Sequence, residues 1–356
     1  MNARQSAGAG GLPAGPDVQV TVVVATYNRP QLLRAAITSV QKQTLRSWRL
    51  LVIGDACDEL TGQVMASFSD SRIEYINLAA RFGEQSGPNS VGMRLARSDY
   101  IALLNHDDVW LPDHLERGLE QLAENRADFC ISRAAAPVYD AGREQLIFKF
   151  LSPVGRTLMS AFWLLNRPFE PCSTYIFTAH AARKLGDWPS ALSCYRVPLH
   201  VWLLRLWRSR LKVFFDDEIT VMRGTAYPPA GSTKLVYEVE STQHEYLSQL
   251  VSEHSGDDIR SRIAADQPTE EPAERFLLVQ QIRSPKRQRW FRWLVNPWSA
   301  RLYYLSGLDT FSLFCKFTGR TRGERMRSAS IARVGADHIA SHSPAVLARE
   351  IEESNV

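Results

Sequence analysis

The densest chemistry in this 356-residue chain sits in Asn105-His106-Asp107-Asp108. Adjacent carboxylates are hard oxygen ligands that suit Mg2+ or Mn2+, ions that keep one or two protein carboxylates and take their other ligands from phosphates and water. A nucleoside diphosphate would complete such a site. Asp107 or Asp108 can equally N-cap the helix that Pro112 begins, and His106 reads as a packed or solvent-edge histidine rather than a ligand. Two more polar runs, Ala25-Thr26-Tyr27-Asn28-Arg29-Pro30 and Asp55-Ala56-Cys57-Asp58-Glu59, each follow an apolar stretch. One such cluster is ordinary cap or turn chemistry; three on the same edge of one sheet are harder to assign to caps.

A sheet is what the flanking sequence predicts. Residues 18–28, VQVTVVVATYN, form a β-branched run suited to a strand buried on both faces of a parallel sheet. Leu32, Leu33, Ala36, Ile37 and Val40 then recur at helical spacing, with Pro30 in the first turn. Further strands are expected at 49–54, 72–77 and 100–104, separated by a short helix at 61–68 and by a helix running from the Gly-rich turn at 82–88 through Ala96. This alternation predicts a doubly wound α/β domain, in which ligands bind at the carboxyl ends of the strands. All three polar runs fall there.

Past Asp108, VWLPDHLERGLEQLAENR reads as an amphipathic helix, and strands are expected at 128–132, 173–178, 212–215 and 218–223. A helix at 198–210 carries Trp202, Leu203, Leu206 and Trp207. There is no G-x-G-x-x-G after the first strand and no G-x-x-x-x-G-K-[ST] anywhere, so the phosphate cradles of dinucleotide dehydrogenases and P-loop NTPases are absent.

Composition bounds the rest. The hydrophobic share of 45% can bury a real core, and a net charge of +4 does not by itself indicate a nucleic-acid binder. Five scattered cysteines without a C-x-x-C pair fit a reducing compartment. Residues 1–17 are rich in Gly, Ala and Pro, lack the apolar core of a secretory signal, and are expected to be a loose tail. The most apolar run, 158–165, is far shorter than the roughly 20 residues of a spanning helix. Charge is unevenly spread: 252–275 holds seven acids against three arginines, whereas 283–327 holds eleven basic residues against Asp309 and Glu324. The acidic stretch suits an exposed connection or solvated helices.

These motifs resemble the inverting glycosyltransferase family 2, with its GT-A nucleotide-sugar-binding fold. The resemblance rests on VVVATYNRPQLLRAAITSVQKQT, LLVIGDACDE and GPNSVGMRLARSDYIALLNHDDVWLPDHLE, more faintly on LGDW and VPLHVWLLRLWRSRLKV, and covers roughly 18–223. It implies a Rossmann-like α/β/α domain with a mostly parallel sheet at 18–235, polar connecting helices at 236–282 and a basic, aromatic C-terminal region at 283–356.

It also implies roles. Ala25, Thr26, Tyr27 and Arg29, with Asp55, Asn105 and His106, would bind the nucleotide, Asp55 through the base, usually uracil. Asp107 would hold Mg2+ or Mn2+, and Asp108 would support it or reach the donor sugar. Asn105 stands where the family's D-x-D motif has its first Asp, which removes a charge from the metal site. The general base of related chains aligns with Val201, so His200 becomes the candidate base and Asp187 of LGDW the alternative. Arg205 is expected to anchor the acceptor-side helix by ion pairing.

The implied reaction is a single displacement at the anomeric carbon, from a nucleotide-sugar donor to a hydroxyl of a glycan or lipid-linked acceptor. Such an enzyme is expected in the cytoplasm. Region 283–327 interleaves Trp290, Phe291, Trp293 and Trp298 with arginines, which suits either peripheral contact at the cytoplasmic membrane face or a helical subdomain with solvated arginines. No nucleic-acid module accompanies the charge. Two other classes stand beside this reading: a catalytically impaired homologue that binds nucleotide sugar or glycan, and a nucleotidyltransferase, which lacks its Gly-rich basic loop here.

Overall fold

A computed structural model describes residues 18–140, 145–152, 171–190, 193–194, 198–224, 235–270 and 343–354. The N-terminal tail and the basic, aromatic stretch at 283–327 lie outside the described residues. The β-branched run forms β1 (Val20–Thr26), in which every residue is buried. It is central, with parallel β2 (Trp48–Gly54) on one side and parallel β4 (Tyr100–Asn105) on the other; β3 (Ile73–Asn77) lies outside β2. Val23 faces one core with Leu51, Ile53 and Leu103, while Val22 and Val24 face the other with Leu50, Val52 and Ile37. Burial of both faces is why the strand reads as continuous rather than alternating.

The sheet order β3-β2-β1-β4 reverses direction between β1 and β4. That reversal is a topological switch point, which opens a crevice at the carboxyl ends of the two strands. Helix α1 (Pro30–Gln41) leaves the end of β1 with Pro30 in its first turn and buries Leu33, Ala36, Ile37 and Val40. Helix α2 (Glu59–Ala66) follows β2 and is capped by Asp58, whose Oδ1 accepts from Thr61 N. Helix α3 (Ser86–Leu95) lies close against the sheet because Gly92 has no side chain; a Cβ there would stand 2.3 Å from Val23.

After β4 the chain departs from a simple alternation. Val109 and Trp110, expected to begin the amphipathic helix, instead belong to β5 (Asp108–Trp110), and α4 runs from His114 to Glu124. The expected strand at 128–132 is longer, β6 (Phe129–Asp140), and is followed by β7 (Gln145–Leu151) and β8 (Tyr175–Thr178). Helices α5 (Ala179–Leu185) and α6 (Pro198–Arg208) precede β9 (Val213–Arg223), one strand where the sequence predicts two. Strands β7 and β8 join antiparallel and β9 parallel to β6, so this half of the sheet is mixed.

The described part of the acid-rich stretch is a solvated helix, its acids exposed and only its apolar positions packed inward. Helix α7 (Leu235–Glu253) and helix α8 (Gly256–Ala265), with β10 (Thr269–Glu270) after them, pack on the sheet. Leu247, Leu250, Val251, Ile259 and Ile263 share a core with Val109, Phe148 and Met222. The acids instead sit at helix ends, where Ser255 and Asp258 make a capping box. Helix α9 (Pro344–Ser354) lies against α3. Among the described residues no helix is long and apolar enough to cross a membrane.

Candidate functional site

The register brings the three polar runs together: Thr26 pairs with Gly54, and Ala25 with Asn105. The ends of β2, β1 and β4 thus form one continuous rim, with Asp55, Thr26-Tyr27 and Asn105-His106-Asp107 in that order. His106 is tied across the switch point, its Nδ1 donating to the carbonyl of Ala25 at 3.2 Å. Thr26 is buried and its Oγ1 has no hydrogen-bond partner among the described residues. Asn28 adopts φ 45° and its Oδ1 accepts from Asp58 N at 2.8 Å, which links the loops after β1 and β2. Arg29 stands at the N-cap of α1.

The two aspartates divide sharply. Asp108 is buried and bonded at both oxygens: Oδ2 accepts from Asn105 Nδ2 at 2.9 Å and from Ser173 Oγ at 2.5 Å, and Oδ1 accepts from Gly224 N at 3.2 Å. Burial raises its pKa, helped by the negative charge of Asp107, while the Ser173 and Asn105 hydrogen bonds oppose the rise. Asp108 therefore holds β5 in place, and the reach to a donor sugar expected of it is not what its buried carboxylate, bonded at both oxygens, offers. Asp107, half-buried, has no hydrogen bond or ion pair from its carboxylate to any described residue. It is the open acid of the rim.

Asn105 is an organiser. Its backbone N–H donates to Ser173 Oγ at 3.0 Å, its amide nitrogen to Asp108, and its Oδ1 accepts from the Cys172 thiol at 3.0 Å. That thiol is buried, and burial followed by the charges of Asp108 and Asp107 pushes its pKa well above the usual range, so it stays a donor. Among the described residues no cluster of three His, Cys, Asp or Glu can hold a metal. The donor set on the rim is one free carboxylate, which fits an ion completed by diphosphate and water rather than a closed protein cage.

Asp55 closes the other end of the rim. Its Oδ1 accepts from Phe82 N at 2.6 Å and its Oδ2 from Gly83 N at 2.9 Å, pinning the loop between β3 and α3. Burial lifts its pKa to about 6, against the lowering effect of these two hydrogen bonds and of Arg81. The guanidinium of Arg81 lies 3.7 Å from the centroid of the Tyr27 ring.

The candidate bases lie elsewhere. His200 and Val201 are partly exposed in the first turn of α6, ahead of the buried Trp202. Asp187 is bound bidentately by Arg94, at 2.7 and 3.0 Å. Arg205 does anchor α6, but through backbone carbonyls of Leu185 and Asp187, at 3.0 and 2.6 Å, not through the expected ion pair.

Three contributors carried no local sequence signal. His244 of α7 donates from Nε2 to the main-chain oxygen of Asp107 at 2.9 Å. Gln243 Nε2 donates to the carbonyl of Gly224 at 3.2 Å. A Cβ at Gly224 would fall 1.7 Å from the Asp107 oxygen and 2.2 Å from His244 Nε2, so only glycine fits.

Residues 21–186 match the model of glycosyl transferase family 2. The chain is 32% identical over 113 residues to the Escherichia coli UDP-Glc:alpha-D-GlcNAc-diphosphoundecaprenol beta-1,3-glucosyltransferase WfgD, a match covering 32% of this chain and 44% of that protein. It is 36% identical over 118 residues to the succinoglycan biosynthesis protein ExoW of Rhizobium meliloti, covering 31% of this chain and 36% of that protein. The chain thus spans less than half the length of these relatives. Among solved structures it resembles S. aureus TarS 1-349 in complex with UDP-GlcNAc, at 14% identity and a TM-score of 0.49, over 89% of this chain and 92% of that one.

Proposed function

We propose, from the match of residues 21–186 to the model of glycosyl transferase family 2, that the chain is an inverting glycosyltransferase using a nucleoside-diphosphate sugar, a UDP-sugar first. The observation that carries this reading is the rim itself: an open carboxylate at Asp107, a buried unpaired hydroxyl at Thr26 and a pinned aspartate at Asp55, aligned across adjacent strand ends. A nucleotide lying across β2, β1 and β4 meets these groups in turn.

Asp107 would hold Mg2+ or Mn2+ against the donor's diphosphate, where the ion offsets charge on the leaving phosphates. Asn105 acts through Asp108 and Cys172, keeping the loop that presents Asp107 in shape. Placing donor and acceptor in line removes much of the entropic barrier, and a base must accept the acceptor's proton. His200 is the candidate base, because Asp187 is committed to Arg94. The names of relatives tied to succinoglycan biosynthesis and to a diphosphoundecaprenol-linked substrate support a glycan or lipid-linked acceptor in polysaccharide assembly. Cys57, Cys130 and Cys172, none of them in a disulfide among the described residues, support a reducing, cytoplasmic setting.

A second reading has its own observation. With no acid in the first turn of α6, the domain could bind a nucleotide sugar without turning it over. Release of nucleoside diphosphate from UDP-, GDP- and dTDP-sugars with Mn2+ or Mg2+ and glycan acceptors separates the two. Turnover with a UDP-sugar, lost in Asp107→Ala, supports the enzyme; binding without turnover across the panel rejects it in favour of the binding protein. Sedimentation with anionic liposomes, with and without 283–327, tests the membrane contact, and equal sedimentation would reject it.

A further inference from the structure

The turn that carries Asp107 is closed by its own flanks. Asn105 Nδ2 donates to Asp108 Oδ2 at 2.9 Å, across His106 and Asp107, so the two side chains clasp a tight turn with the open carboxylate at its tip. The clasp works in one orientation of the amide only. An Asn side chain has a donor end and an acceptor end, and turning the oxygen toward Asp108 would set acceptor against acceptor. Cys172 decides between the two. Its thiol, with a single proton, lies 3.0 Å from Asn105 Oδ1 and 3.8 Å from Gln85 Oε1, and so donates to Asn105.

The thiol stands on a stiff support. Cys172 opens the 3-10 turn Cys172–Thr174, all three residues of which are buried. Trp110 Nε1 donates to the Ser173 carbonyl at 2.7 Å, and Ser173 Oγ accepts from Asn105 N while donating to Asp108 Oδ2. Asn105, Ser173 and Asp108 thus close a ring of hydrogen bonds that leaves out Asn105 Oδ1, whose partner among the described residues is the Cys172 thiol. An Asp at position 105 would have no proton to give Asp108 and would bring two carboxylates to hydrogen-bond distance. We infer that Cys172 is a positioning residue: it fixes the Asn105 amide as the clasp that presents Asp107, so position 105 acts on the bound ion through the shape of the turn and not as a ligand. This rests on the nucleotide-sugar reading. The missing first acid of the D-x-D motif is then no loss to the ion, because restoring it opens the clasp.

Calorimetric titration of the full chain with UDP, once with Mn2+ and once with EDTA, tests this beside metal-free urea unfolding. Cys172→Ala should weaken UDP binding about three- to tenfold with Mn2+, the scale of one hydrogen bond, and leave binding in EDTA unchanged. Cys172→Ser, whose hydroxyl can donate to the same oxygen, should recover part of that loss. Once Asn105→Ala has removed the amide, adding Cys172→Ala should cost no further Mn2+-dependent affinity, and the urea midpoints should show the same non-additivity. Asn105→Asp should weaken Mn2+-dependent binding about tenfold or more and unfold at lower urea concentration. Tighter Mn2+-dependent binding in Asn105→Asp would make position 105 a ligand and overturn the inference alone. So would a Cys172→Ala loss that is equal with and without Mn2+, or that adds in full to the loss in Asn105→Ala. Wild type that binds no UDP overturns the parent reading instead.

Discussion

His244 and Asp107 are 137 residues apart in sequence and joined by one hydrogen bond, His244 Nε2 to the Asp107 carbonyl at 2.9 Å. The bond ties α7 to the loop that presents the open carboxylate. Removing the imidazole leaves a carbonyl without its donor, a loss of about 1–3 kcal/mol. His244→Ala should therefore unfold at lower urea concentration and lose metal-dependent nucleotide affinity, while nucleotide binding without divalent ion stays unchanged. His244→Gln, which can return an N–H to the same oxygen, should recover part of both. A stability loss with intact metal dependence would make the bond purely structural.

The two aspartates should separate under mutation. Asp108→Ala strands three donors, Asn105 Nδ2, Ser173 Oγ and Gly224 N, and is expected to cost about 3 kcal/mol or more. Asp107→Asn removes no bond and relieves repulsion on a buried neighbour, so its stability should stay within about 0.5 kcal/mol of wild type while metal-dependent nucleotide binding is lost. Urea unfolding followed by circular dichroism, paired with nucleotide titration, reads both. The opposite pattern would exchange the roles assigned to the pair.

That division marks where the sequence stops being legible. The β-branched run of β1 and the polar residues after β1, β2 and β4 announce a buried parallel sheet with one chemical edge, because those signals are local. Which of two adjacent aspartates faces inward depends on β5 pairing antiparallel with β9, Asp108 opposite Arg223, and on Ser173 and Gly224 arriving from distant segments. No local period encodes that. The same holds for α7 and α8: their acids suggested solvent, but alternate faces carry Leu247, Leu250, Ile259 and Ile263 into a core shared with Val109 of β5, Phe148 of β7 and Met222 of β9.

A pH effect on stability follows from His114. It is buried, stacked on Trp110 with ring centroids 4.3 Å apart, and its Nδ1 lies 2.7 Å from Thr220 Oγ1. Burial pushes its pKa from 6.5 down to about 3. Between those values the unfolded chain binds the proton and the folded one does not, so this group's contribution falls as pH drops from 6.5 toward 3, by up to a few kcal/mol. Asp55 acts in the opposite sense, since its raised pKa favours the folded state as pH falls from about 6 to 3.8. The His114 effect is therefore isolated by difference: the stability gap between wild type and His114→Gln should shift against wild type on going from pH 7 to pH 4. A gap independent of pH would place a charge on His114 in the folded protein.

Helix α9 tests which interaction holds a late segment on the α/β fold. Leu347 and Ile351 pack, partly buried, against the core that includes Val91 and Met93 of α3, and Ala348 is buried with them. Arg97 and Glu352 form an ion pair alongside, with side chains 51% and 43% exposed. Exposed pairs contribute about 0–1 kcal/mol, whereas two partly buried aliphatic side chains contribute about 1–2 kcal/mol each. The apolar contact should dominate. Leu347→Ala with Ile351→Ala is expected to lower thermal stability clearly, and Glu352→Ala by little, with the small Glu352 effect vanishing at high salt. Because the N-cap of α3, Gln85, sits 3.8 Å from the Cys172 sulfur beside Asn105, the double variant should also weaken nucleotide binding more than Glu352→Ala does. Equal losses from both variants would mean that charge, not burial, seats the helix.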